Sequence, residues 1–170
     1  MTETVQVALE PSVNVTTADL ELQLKTALEL RDLTSSLNLA LRSLDTVEQQ
    51  IKDIKKTLEA TMESAPEDVE KSLTDLLQKV EEQKKTMARD RTAGYSSPTQ
   101  LLGKLTGWLS GITRTEAAPT THQIEYFDKL RAEHQEALQK TDGILKGEVV
   151  TLNEVLTEYN LPIVYVGKSY

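Results

Sequence analysis

At 170 residues the chain has room for one hydrophobic core and not for two, since a domain of this size buries about two-thirds of its unfolded surface. Its 19 Lys and Arg stand against 27 Asp and Glu, and the resulting net charge of -8 repels a phosphate backbone, which argues against nucleic acid as a partner. The absence of cysteine excludes disulfides, thiolate metal sites and cysteine nucleophiles, and no run approaches the roughly 18 to 20 apolar residues of a membrane span.

Met1-Thr2-Glu3-Thr4 has neither the basic start nor the apolar run of a signal peptide. Thr4 to Leu9 then alternates, with Val5, Val7 and Leu9 on one side and Thr4, Gln6 and Ala8 on the other, the period-two pattern of a half-buried strand. Glu10-Pro11 ends it. A lone strand is what remains where a chain is cut just inside the last strand of a preceding β domain. Residues 1–15 therefore read as a remnant of such a domain or as a leader, and the chain either as a cytoplasmic protein or, the reading favoured by these residues, as a domain of something larger.

The first helix is capped by Thr16 or Thr17, carries Asp19 in its first turn, and runs without Gly or Pro to about Ser64. Leu30, Leu33, Leu37, Ala40, Leu44, Val47, Ile51, Ile54 and Leu58 alternate at spacings of three and four, a coiled-coil seam four heptads long. Roughly 47 residues at about 1.5 Å each make a rod about 70 Å long. Pro66, with Glu67 and Asp68 behind it, opens a second helix to about Arg91, whose buried stripe is Val69, Leu73, Leu76, Val80 and Met87. After a loop around Gly94, Pro98 opens a shorter third helix with Leu101, Leu105, Trp108 and Ile112 on one face. Pro119-Thr120-Thr121 starts a fourth helix to about Asn160, with a less regular seam of Ile124, Phe127, Leu138, Leu145, Leu152 and Tyr159 and with Gly143 and Gly147 inside it.

The second and third helices together match the fourth in length, so they fit end to end as one broken rod. The expected fold is all-α: an elongated up-down-up bundle of three rods, the middle one broken into two helices, with a short orphan strand at each end. Residues 16–160 form the bundle and 161–170 a C-terminal extension. Ile163 to Val166 is the second strand, and its simplest partner within the chain is Val5 to Leu9.

The search for chemistry yields no catalytic, cofactor-binding or metal-binding residue. A di-metal bundle needs Glu-x-x-His pairs, but Pro119 stands three before His122 and Arg131 three before His134. His-Glu-x-x-His is absent because Gln135 follows His134, and nucleophile elbows and phosphate loops are missing. His134 reads as a partly exposed bundle histidine. Gly103, Gly107 and Gly111 fall opposite the Leu105, Trp108 and Ile112 face, giving either a smooth face for another helix or a locally weak helix. Lys55-Lys56, Lys84-Lys85 and Arg89-Asp90-Arg91 sit beside acidic neighbours, as solvated faces do.

Several segments recur in a known order: Leu9-Glu10-Pro11-Ser12-Val13, Thr17-Ala18-Asp19-Leu20-Glu21-Leu22-Gln23, Ser97-Pro98-Thr99-Gln100-Leu101-Leu102-Gly103-Lys104-Leu105, Ala118-Pro119-Thr120, Leu152-Asn153-Glu154-Val155-Leu156 and Asn160-Leu161-Pro162-Ile163. This order resembles the C-terminal region of the large bacterial sortilin-like, BNR-repeat proteins labelled as glycosyl hydrolases. In those proteins a β-propeller and a small β-sandwich precede a helical segment. Glu10 and Ser12 stand where that family carries Asp and Arg. The resemblance implies a secreted or periplasmic parent and brings no catalytic residue, because hydrolase activity would reside in the propeller.

The expected function is a non-catalytic helical stalk or protein-interaction domain of a larger extracytoplasmic β-propeller protein. Its partner would be another protein, the parent's own β domains or a second copy. Leu22, Leu28, Leu39 and Leu41 lie off the seam and either serve that partner or widen the core stripe. The alternative is a ligand-binding sensor bundle, which needs a polar-lined gap between helices; Thr141, Gly143, Gly147 and Glu148 are the residues that would line one.

Overall fold

A computed structural model describes residues 3–4, 15–61, 65–89, 99–115 and 117–167. Within them the chain is all-helical, with four helices packed together. They are α1 (Thr17–Thr61), α2 (Glu67–Met87), α3 (Leu101–Thr113) and a fourth that runs unbroken as α4 (Thr121–Gly143), a π-helical turn (Ile144–Glu148) and α5 (Val149–Glu158).

Of the two threonines that could cap α1, Thr16 is the one used. Its hydroxyl accepts from the Asp19 N–H at 3.2 Å while the Asp19 carboxylate accepts from the Thr16 N–H at 2.9 Å, so two orphan donors are satisfied reciprocally. Thr120 and Gln123 build the same box at the start of α4. Pro66 lies one residue before α2 rather than at its first helical position, with extended backbone as befits a cap. The Pro98 expected to open α3 lies outside the described residues, and the helix begins at Leu101.

Every predicted seam position of α1 is buried except Leu33, which is half-buried against the core. The stripe of α2 likewise holds, with Gln83 added to it. In the fourth helix the observed seam differs from the predicted one. Phe127, Leu130, His134 and Thr141 are buried, then Leu145, Val149, Leu152 and Leu156, while Ile124 and Leu138 are half-buried and Tyr159 is exposed. The step at 141–145–149 is four and four. A regular heptad continuing from Thr141 would have turned Glu148 and Thr151 inward; the π turn takes up one extra residue and brings Leu145 and Val149 in instead.

Hydrogen bonds and ion pairs stitch the helices along their length. Lys55 donates to Thr74 at 2.9 Å, Lys84 pairs with Glu48, Arg131 with Glu29 at 2.8 Å, Lys104 with Glu133 at 2.8 Å, and Lys79 with Glu148 at 2.7 Å. Near the start of α1 the Gln23 amide donates to the Ile112 carbonyl at 2.7 Å, while Trp108 meets Tyr126 edge-on with ring centroids 5.2 Å apart.

The C-terminal strand is not formed. α5 ends in a Schellman turn, with Asn160 in the left-handed region at φ 53°, its N–H on the Thr157 carbonyl and the Leu161 N–H on the Leu156 carbonyl. Pro162 then prevents continuation of the helix. Ile163 to Val166 is extended but has no strand partner among the described residues; side-chain amides of Asn153 and Gln50 take up the backbone groups of Val164 and Tyr165. The other expected strand, Val5 to Leu9, lies outside the described residues.

Leu44 is fully buried in the middle of the α1 seam. Replacing it, Leu44→Ala, should cost about 2–5 kcal/mol of unfolding free energy through lost burial and the cavity left behind. Urea denaturation followed by circular dichroism reads this directly, with the helical signal in buffer retained.

Candidate functional site

The residues that sequence analysis singled out do not converge. His122 is almost wholly exposed and 3.7 Å from Glu125. His134, about three turns along α4, is buried rather than partly exposed, at 6% of its free surface. The difference arises because His134 falls on the seam facing α1, where its Nε2 lies 2.7 Å from the Ser36 hydroxyl, itself 3.0 Å from the Leu33 carbonyl. Among the described residues no group of three His, Asp or Glu could hold a metal ion.

Thr141 is fully buried, but its hydroxyl is committed: it donates to the Ala137 carbonyl at 2.9 Å and accepts from Gln83 Nε2 at 3.2 Å. Gln83 also donates to that carbonyl at 2.9 Å, with the Met87 sulfur beside it. This is a satisfied polar layer between α2 and α4, not the lining of a gap. Gln83 stands outside the expected stripe, although its place between Val80 and Met87 at seam spacing is the signal for it. Glu148 lies at the surface paired with Lys79, and a Cβ added at Gly143 or Gly147 would meet nothing, so neither glycine is required by close packing. Gly107 and Gly111 are exposed and open in the same way.

An open cleft of about 160 Å³ lies between Thr86, Leu101, Glu133, Glu136, Ala137 and Lys140. Its two carboxylates are neutralised by Lys104 and Lys140, each at 2.8 Å, leaving no poised acid, base or nucleophile among the lining groups. Lys84 sits between Asp45 and Glu48, both at 2.5 Å, and joins α1 to α2. Burial by itself would raise the Glu48 pKa, but hydrogen bonds from Lys52 and Lys84 outweigh it and hold the carboxyl below its ordinary value.

What remains is a surface. Leu24 is 59% exposed, Leu39 47% and Leu28 40%, and at 100° per residue these three lie about 130–170° away from the α1 seam. They therefore do not widen the core stripe. Leu41 does: it is half-buried and packs on the core. Leu22 points along the seam but lies at its open end, 41% exposed. Leu24, absent from the leucines expected to serve a partner, is the most exposed of those on α1 that the structure leaves uncovered. No helix among the described residues is long and apolar enough to cross a membrane.

His134 makes the fold sensitive to acid. Burial pushes its pKa below the ordinary 6.5, against a smaller opposing pull from the Leu33 carbonyl. Above 6.5 both native and unfolded states hold it neutral and its contribution is complete. As pH falls through that value the unfolded chain takes up a proton that the native state resists, and stability drops. Glu48, with its depressed pKa, loses its contribution only at lower pH, as its carboxylate protonates. Urea midpoints at about pH 7.5 and pH 5.5 should therefore fall for the wild type and fall less for His134→Gln.

No known protein family matches this chain, and no curated protein or solved structure is significantly similar to it.

Proposed function

We propose that this chain is a non-catalytic helical interaction module whose docking surface is the Leu24, Leu28 and Leu39 face of α1. The observation that carries the reading is that these leucines point away from the core on the longest helix, where nothing within the described residues covers them. Apolar side chains recurring along one face of an exposed helix suit helix-on-helix recognition. A second copy laid antiparallel about a two-fold axis sets Leu28 of each chain against Leu39 of the other, with the Arg31 and Asp32 ion pair near the axis.

The cross-helix pairs support an up-down-up arrangement of three rods. Lys55 with Thr74 and Glu48 with Lys84 run in opposite senses, Glu29 with Arg131 and Ser36 with His134 in the same sense, and Gln23 with Ile112 extends the middle rod through α3. The elongated stalk, the sortilin-like β-propeller parent and the extracytoplasmic setting belong to the same proposal. The last two rest on the residue pattern from Leu9-Glu10-Pro11 to Asn160-Leu161-Pro162. On this reading the isolated chain turns over no glycoside.

Light scattering during size exclusion tests the surface. The wild type should show a concentration-dependent dimer, and the triple variant Leu24→Ser, Leu28→Ser, Leu39→Ser a monomer of unchanged helicity, with stability altered by no more than about 0.5 kcal/mol per surface site. A wild type that stays monomeric at every concentration, or a dimer that survives the serines, removes this face from the account.

A further inference from the structure

The space between α1 and α5 is filled by something other than a helix. The two helices make little direct contact. Between them lies the extended segment after the Schellman turn, with Val164 only 2% exposed and joined to the core. Asn153 on α5 donates from Nδ2 to the Val164 carbonyl and accepts the Val164 N–H at Oδ1, both at 2.8 Å. Gln50 on α1 does the same for the next residue, donating to the Tyr165 carbonyl at 2.9 Å and accepting its N–H at 2.8 Å.

A primary amide paired in this way gives an extended backbone what a neighbouring strand would give it. Successive residues direct their backbone groups to opposite sides, so Val164 is read by α5 and Tyr165 by α1. Recognition asks for extended backbone and one branched apolar side chain. Tyr165 stays largely outside at 71% exposure, and Ile163 and Val166 are partly covered at 38% and 37%. The segment hangs on a short connection of Asn160, Leu161 and Pro162. Among the described residues Asn160 is the single non-glycine with positive φ, held there by the two hydrogen bonds of the Schellman turn, so opening of the turn exchanges those bonds for relief of that conformation.

We propose that the α1–α5 gap is an acceptor site for the Ile163 to Val166 segment of a second copy, so that two chains can exchange these segments. The same four hydrogen bonds and the same buried Val164 are available within one chain or between two. The choice is then set by the hinge and by concentration rather than by new contacts. The inference rests on reading the chain as an assembly module, but it uses a separate surface: Gln50 lies about 16 Å along α1 from Leu39.

The test is complementation between two full-length variants, each also carrying serine at Leu24, Leu28 and Leu39 so that the leucine face plays no part. One carries Val164→Asp, which spoils the segment and keeps the gap; the other carries Gln50→Ala with Asn153→Ala, which spoils the gap and keeps the segment. Each alone should be monomeric, and an equimolar mixture should scatter as a heterodimer of twice 19.0 kDa. Should Val164→Asp lose its helicity, Tyr165→Pro, which deletes the N–H read by Gln50, takes its place. A peptide copying residues 161–167 should raise the melting temperature of the segment-spoiled variant and leave the gap-spoiled one unchanged. A mixture that stays at monomer mass overturns the exchange, even if the peptide binds, and so does a heterodimer that forms when both copies carry the Gln50 and Asn153 alanines. Loss of the leucine-face dimer from the wild type would leave this result untouched.

Discussion

The apolar stripe of α1 governs the rest of the structure. Leu30, Leu37, Ala40, Leu44, Val47, Ile51, Ile54 and Leu58 lie on one side of a 45-residue helix, and none can be left wet without forfeiting a large part of its burial energy. A stripe that long needs more than one covering helix. α2 covers the C-terminal half, α3 and the start of α4 the N-terminal half, and the extended segment around Val164 closes the last side beside α5. Ion pairs such as Lys84 with Asp45 and Glu48 fix the sliding position of helices whose apolar contacts are tolerant of small shifts.

Much of this was legible because α1 and α2 obey a single period. Their seams alternate three and four with no interruption, so spacing alone identifies the buried apolar positions, though not the buried Thr26 and Gln83. The fourth helix broke the rule, since a change of helical pitch at Ile144 to Glu148 leaves no mark on a template that assumes one pitch throughout. Leu138, seven residues before Leu145, falls inward only if the register is carried back across that turn, whereas Leu130 lies upstream of it at regular spacing from Phe127. The C-terminal strand failed on other grounds. Alternating Ile163-Val164-Tyr165-Val166 does specify an extended backbone, but the pattern says nothing of what the backbone pairs with, and two side-chain amides far apart in sequence do that work.

The candidate surface was legible in part. Leu28 and Leu39 stand out because they break the seam, and Leu24 breaks it equally at 59% exposure. Polar residues were harder to judge. His134 and Gln83 both occupy seam positions, yet polarity argues for exposure until a partner is known. Ser36 and Thr141, which supply those partners, lie 98 and 58 residues away in the chain. Burial of a polar group depends on a contact that local sequence does not contain.

The π turn also bears on how this helix can change over generations. In a regular heptad helix the loss of one codon rotates everything downstream by about 100° and turns the seam into the solvent. Between Ile144 and Glu148 the helix already carries one residue more than its seam requires. A deletion there would convert the wide turn to ordinary α-helix and leave Leu152 and Leu156 facing inward. This stretch is the place where α4 and α5 can lose a residue and keep their register.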